Sequence, residues 1–230
     1  MSKIPLIVIS SPKAGTGKTT LALNLAAALW ADGYKVFLFA PDNDVAQFLQ
    51  KRREFCREHN IELPIPQVVS QLSELPQEPV EKAVVIADIP TERNNIYAKI
   101  FNQAHTLITV VDNPSDVNWN MSDGYINIIW NAKKSIAARG IKYLNWIVVA
   151  DLKNENATDW SASMNDSARK YGFRIAPPLK YRLAYQHLQD GYCAADMLTD
   201  NKVFAMTFAD VYARREILKL TDDLWRQNKM

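Results

Sequence analysis

The chain has 230 residues, 48% of them hydrophobic and 23% charged, which is enough to bury one sizeable core and close to the average of a globular protein. Its 27 Lys and Arg against 25 Asp and Glu leave a formal net charge of +2, so any polyanion must be met by a local patch and not by a whole-molecule field. Two cysteines, Cys56 and Cys193, exclude a disulfide framework and every CxxC metal or redox motif, which fits a reducing cytoplasm.

The opening MSKIPLIVISS is too short for a signal-peptide core with its cleavage site, and no stretch reaches the roughly 18 apolar residues of a membrane span. Residues 4–10 (IPLIVIS) read as a β-strand, and Leu21, Leu25, Ala28 and Leu29 fall on one face of a helix that Gly33 terminates. The alternation then recurs: strand 35–40, helix 44–58, strand 83–88, helix 92–104, strand 106–112, helix 117–138, strand 145–150, helix 158–171 and a short strand at 173–176. A helical pattern over 201–227 closes the chain. Continuous apolar strands separated by helices predict an α/β fold, a doubly wound, mostly parallel sheet with helices on both faces. Prolines between 64 and 90 and at Pro177-Pro178 mark loops and no linker, so a single domain over 1–230 is expected.

Ligands of such a sheet bind at the carboxyl ends of its strands. After the first strand stands Ser11-Pro12-Lys13-Ala14-Gly15-Thr16-Gly17-Lys18-Thr19-Thr20, which leads directly into a helix. Small residues at Ala14, Gly15 and Gly17 let backbone N–H groups, including those of Thr16 and Thr20, converge on phosphate oxygens. Lys18 can reach the β/γ-phosphates, and the Thr19 hydroxyl can ligate Mg²⁺. The literal GxxxxGK[ST] pattern fails because Pro12 occupies the first glycine position, while an additional lysine, Lys13, appears. The strand Val84–Ala87 ends in Asp88, a carboxylate at a strand tip that can hold Mg²⁺ through water.

A phosphate loop with a second lysine near its start resembles the deviant Walker A motif of the ParA/MinD superfamily of ATPases. That resemblance implies ATP and Mg²⁺ as cofactors. It also implies an ATP-sandwich homodimer in which Lys13 crosses the interface to the partner's phosphates. Aligned strands then place Asp42 on the superfamily's water-orienting, Mg²⁺-supporting aspartate and Ala40 on a second aspartate that is missing here; Asp44 reads as a helix N-cap. Where the superfamily continues Pro-Gly-Gly after the Walker B strand, this chain has Pro90-Thr91-Glu92. By position, adenine would be met by Asp151, Asn154 and the Pro177-Pro178-Leu179 loop, Pro178 foremost.

The segments Lys51–Phe55, Asn60–Pro64, Asn113–Val117, Asn145–Val149 and Tyr171–Ile175 look like MipZ, and the short chain with its altered switch is similar to plasmid-borne ParA-like proteins of the StbB type. The resemblance implies a slowly hydrolysing switch that positions or partitions DNA cargo through non-specific DNA binding and a protein partner, ParB-like or a plasmid-encoded adaptor. The protein would be cytoplasmic and nucleoid-associated. Candidate phosphate contacts are Lys133, Lys134, Arg139, Lys142, Lys180, Arg182, Arg214, Arg215 and Lys219; a solvated basic face is the alternative reading. In the last helix Phe208, Val211, Tyr212, Leu218 and Trp225 share an apolar face, but the acids among them favour packing on the sheet over a membrane surface. The six tryptophans are read as mostly core. Rival readings are a pseudo-ATPase adaptor, a MinD/MipZ-like regulator of division-site placement and a ligase of the dethiobiotin-synthetase type; the lack of a Cys pair excludes an iron–sulfur carrier.

Overall fold

A computed structural model describes residues 4–41, 43–76, 80–91, 96–113, 116, 124–141, 144–152, 161–180, 182–196 and 207–225. In chain order these form β1 (Leu6–Ser10), α1 (Lys18–Ala31), β2 (Lys35–Phe39), α2 (Asn43–His59), β3 (Gln67–Val69), β4 (Ala83–Asp88), α3 (Ala98–Phe101), β5 (Thr106–Val111) and α4 (Gly124–Ala138). They continue with β6 (Asn145–Leu152), α5 (Ser161–Tyr171), β7 (Arg174–Ile175), β8 (Leu179–Lys180), 3₁₀ turns at Leu183–Asp190 and Ala194–Asp196, and α6 (Phe208–Trp225). The sheet runs β3-β2-β4-β1-β5-β6-β7 with these neighbours all parallel, and β8 pairs with β6 through Asp151 and Leu152.

Side chains of a strand alternate between its two faces, and here both faces are apolar. Val8, Phe37, Phe39, Val85 and Leu107 enter one core with Ile126, Ile129 and Ala132 of α4 and Met164 of α5. Ile7, Ile9, Leu38, Ile86 and Ile147 enter the other, with Leu21, Leu25 and Leu29 of α1, Phe48 of α2 and Ile217, Leu220 and Leu224 of α6. Each fully buried Ile or Leu of this kind contributes about 1.5–3 kcal/mol by leaving water, and this is why the strands read as unbroken apolar runs. The two-sided burial is the doubly wound arrangement expected. α1 ends in a Schellman turn: Gly33, at φ +85°, donates to Trp30 O at 2.8 Å, and Tyr34 N donates to Leu29 O at 3.0 Å.

The structure differs from the pattern reading at several points. β3 and β8, with three and two residues, are additional strands, too short for periodicity to reveal; β3 lies inside the proline-rich stretch and pairs with the outer edge of β2. The helix expected over 92–104 is described only as the single turn Ala98–Phe101, and residues 92–95 lie outside the described set. Asp44 is in the first turn of α2 and is not its cap, because the helix begins at Asn43. Trp30 is 48% exposed at the end of α1, so it is not a core tryptophan, whereas Trp146 is buried. α6 packs through Ala213, Ile217, Leu220 and Leu224, while Phe208, Val211 and Tyr212 of the expected face are exposed. No helix among the described residues is long and apolar enough to cross a membrane.

Candidate functional site

β1 stands between β4 and β5, so the loop leaving its carboxyl end is bounded by the ends of both neighbours. Gly15 and Gly17 hold φ of +71° and +86°, a left-handed backbone that side-chain-bearing residues adopt at a cost. Gly17 is the N-cap of α1, no side chain caps that end, and its first turn carries no acidic residue. The exposed N–H groups and the helix dipole are thereby left for an anion. Thr16 is buried, and its Oγ1 finds no hydrogen-bond partner among the described residues. A buried hydroxyl left in this way fits a loop that receives additional acceptors from a ligand.

Around this loop the structure brings together most of the residues predicted to act there. Thr19 Oγ1 donates to Asp88 Oδ2 at 2.6 Å, joining the first turn of α1 to the tip of β4. Lys18 Nζ donates to Thr91 Oγ1 at 2.8 Å, and Thr91 Oγ1 donates to the Lys13 carbonyl at 3.2 Å. Thr91, in place of the superfamily's glycine, therefore ties the end of the β4 strand to the phosphate loop. The signal was the substitution itself; that its hydroxyl would reach Lys18 was not readable from spacing.

Lys13 is exposed, and its ammonium lies 3.1 Å from Asp112 Oδ1 and 3.3 Å from Oδ2. The hydrogen bond to Asp112, followed by its charge, raises the Lys13 pKa. Desolvation and then the hydrogen bond with Asp112 raise that of Asp116. Two carboxyl groups thus sit beside one lysine, and the sequence motif did not single out Asp112.

The remaining predicted contacts are distributed differently. Asp42 and Asn154 lie outside the described residues, and of Asp151 only the backbone is described, paired with Leu179. Pro178 is exposed; its neighbour Leu179 lines the cavity that continues from the loop. That cavity, about 320 Å³, runs from Gly15, Gly17 and Thr20 to Leu179, Arg182, Tyr185, Gln186 and Ile217. Its volume is in the range of small-molecule sites. Beyond the phosphate loop the cavity is thus lined by Leu179 of the expected Pro177-Pro178-Leu179 loop, by the segment after β8 and by α6.

The donor set fits Mg²⁺ and a nucleotide phosphate. Thr19 and Asp88 bring a hydroxyl and a carboxylate oxygen together, and Mg²⁺ is commonly held by one or two carboxylates plus phosphate and water. Among the described residues no three His, Cys, Asp or Glu side chains form a ligand cluster. When bound there, the ion would neutralise charge on the phosphates.

Of the basic candidates, Lys142 lies outside the described residues and four have internal partners. Lys133 donates to Tyr171 O at 2.5 Å, and its ammonium stands over the rings of Trp130 and Trp146, where burial lowers its pKa. Arg139 donates to Asn102 O, Arg182 pairs with Glu216, and Arg214 donates to Ala195 O. Lys134, Lys180, Arg215 and Lys219 are exposed.

A family model described as ATPase MipZ matches residues 5–226. Among solved structures, the ATP complex of a McdA variant from Cyanothece is similar over 97% of each chain, with 17% identity and a TM-score of 0.60. The MinC:MinD cell division protein complex of Aquifex aeolicus is matched over 98% of this chain and 96% of that one, at 17% identity and a TM-score of 0.56. The structure of pnob8 ParA is matched over 99% and 100%, at 13% identity and a TM-score of 0.52. These likenesses support the P-loop fold. Among curated proteins, none matches this chain in sequence.

Proposed function

The chain belongs to the MipZ family of ATPases, and from that premise we propose that it is an ATP-dependent dimerisation switch that positions or partitions a DNA cargo through a protein partner. The observation that carries this reading is the convergence of Lys18, Thr19 and Asp88 at the uncapped N-terminus of α1, with Lys13 exposed on the rim. In it Lys18 and the loop amides hold the phosphates, and Thr19 and Asp88 hold Mg²⁺. Asp42 orients the attacking water, and Lys13 reaches the nucleotide of a second copy. Turnover is slow and waits on the partner, as suits a switch whose states must persist. Exposed Lys134, Lys180, Arg215 and Lys219 meet DNA phosphates without reading sequence, and dimerisation doubles the patch. The protein then works in the cytoplasm at the nucleoid.

Sedimentation of wild type and Lys13→Ala with ADP, with a non-hydrolysable ATP analogue and with neither tests the reading. A dimer that forms only with the analogue and is abolished in Lys13→Ala supports it; a monomer in every nucleotide state overturns it. Hydrolysis that survives unchanged in Lys18→Ala would remove the assigned phosphate site.

A second reading, a nucleotide-binding adaptor without turnover, is favoured by Ala40. This residue at the end of β2 is partly buried against the apolar core, where a carboxylate was expected from the family pattern. Tight ATP binding with negligible phosphate release would decide for it.

A further inference from the structure

The wall of the cavity beyond the phosphate loop is built from a segment with little backbone support. β8 contributes two residues to the sheet, and the turn that follows is a 3₁₀ helix, whose hydrogen bonds are poorer than those of an α-helix. Yet Leu179, Arg182, Tyr185 and Gln186, all from this stretch, line the cavity together with Ile217 of α6. Glu216 of α6 gathers several of the polar contacts that hold the stretch to α6, beside the approach of His187 Nε2 to Asp210 Oδ1 at 3.4 Å. Glu216 Oε2 accepts from Lys180 N at 3.3 Å and lies 3.1 Å from the Tyr185 hydroxyl; Glu216 Oε1 accepts from Arg182 Nε at 3.1 Å and Nη2 at 2.6 Å. Arg182 in turn lies over the Tyr212 ring at 5.2 Å, and the Tyr185 hydroxyl is 3.2 Å from the Ala213 carbonyl. Glu216 itself does not line the cavity; it precedes Ile217, which does.

We infer that Glu216 is the positioning residue of the nucleoside half of this site, holding Arg182 and Tyr185 in the wall against which the base and ribose of a nucleotide rest. The inference depends on the phosphate-loop reading above, because the cavity opens from Gly15, Gly17 and Thr20 and a nucleotide seated there extends its nucleoside toward Tyr185 and Gln186. Charge-assisted, paired hydrogen bonds are among the stronger polar contacts, and here one carboxylate makes several at once. The pair is partly shielded, with side chains 17% and 16% exposed. The bonds of this network do not involve Lys18, Thr19 or Asp88, so breaking it should be felt by the nucleoside and not by the phosphates.

Calorimetry with ADP, a non-hydrolysable ATP analogue and inorganic tripolyphosphate separates the two halves. Glu216→Ala is expected to weaken ADP and the analogue alike by about tenfold, to leave tripolyphosphate within about twofold, and to be partly rescued in Glu216→Gln, which keeps an acceptor. Tyr185→Phe, which removes one hydroxyl from the network, should weaken ADP by about threefold with tripolyphosphate unchanged, and it carries the test if Glu216→Ala does not fold. ADP affinity unchanged in these variants, or a parallel fall with tripolyphosphate, overturns the inference while leaving the phosphate site standing. Wild-type protein that binds none of the three ligands overturns the phosphate-loop reading and the inference together.

Discussion

The ammonium of Lys13 lies 3.1 Å from one carboxylate oxygen of Asp112 and 3.3 Å from the other, so the lysine that marks the deviant loop is held by its own chain. In the proposed dimer Lys13 must leave Asp112 to reach the partner's nucleotide. An exposed ion pair of this type is weak and screened by solvent. Asp112→Asn is therefore expected to tighten analogue-dependent dimerisation by up to about fivefold. Sedimentation across a protein concentration series would read it, and an unchanged association constant would show that Asp112 does not hold Lys13 back.

Thr91 accepts a hydrogen bond from Lys18, the lysine assigned to the phosphates, and donates to the loop carbonyl of Lys13. Nucleotide binding has to replace the first of these contacts. A hydrogen bond of this kind contributes about 0.5–1.5 kcal/mol. Removing the hydroxyl in Thr91→Ala should then raise ADP affinity by about two- to tenfold. A weaker ADP complex would instead make Thr91 a ligand contact.

The buried pair Arg52–Asp196 bridges α2 to the turn at Ala194–Asp196, with side chains only 1% and 2% exposed. Arg52 also donates to Pro64 O at 2.5 Å and Gly191 O at 3.3 Å, and Asp196 accepts from Cys193 N at 2.7 Å. Removing one partner strands a buried charge, which costs about 3–5 kcal/mol. Asp196→Asn or Arg52→Met should each lower the denaturant midpoint markedly. A shift worth under about 1 kcal/mol would mean that water reaches the remaining charge.

The central sheet and phosphate loop were legible because they are local: unbroken apolar runs need only burial on both sides, and the loop chemistry is contained in eight consecutive positions from Pro12 to Thr19. What escaped is what tertiary packing decides. α6 carries two apolar stripes, and only the sheet beneath it selects Ile217 and Leu220 over Val211 and Tyr212. The bond from Arg182 to Glu216 spans 34 positions and that from Arg52 to Asp196 spans 144, so no spacing rule connects them. The same holds for the rest of the cavity wall: Leu179 lay in the expected loop, whereas Arg182, Tyr185, Gln186 and Ile217 are brought beside it only by packing.

Arg215 and Lys219 lie one turn apart on the exposed side of α6, whereas Arg214, beside Arg215 in the chain, donates to the Ala195 carbonyl. Desolvation is the largest influence on the Arg214 guanidinium and lowers its pKa, in keeping with a structural role. If the chain binds DNA through its exposed cations, affinity falls with salt at a slope of about 0.9 per neutralised phosphate. Arg215→Ala with Lys219→Ala should flatten that slope by about 0.9 for each phosphate no longer neutralised, and weaken all sequences alike. Lys133→Met is the contrasting variant: Lys133 is occupied by Tyr171 O and the Trp130 and Trp146 rings, so its replacement should leave the slope unchanged. Fluorescence anisotropy with two unrelated duplexes between about 50 and 200 mM salt, in the analogue-bound state, measures both slopes. Equal slopes for wild type and the double variant would exclude this face of α6 from DNA contact.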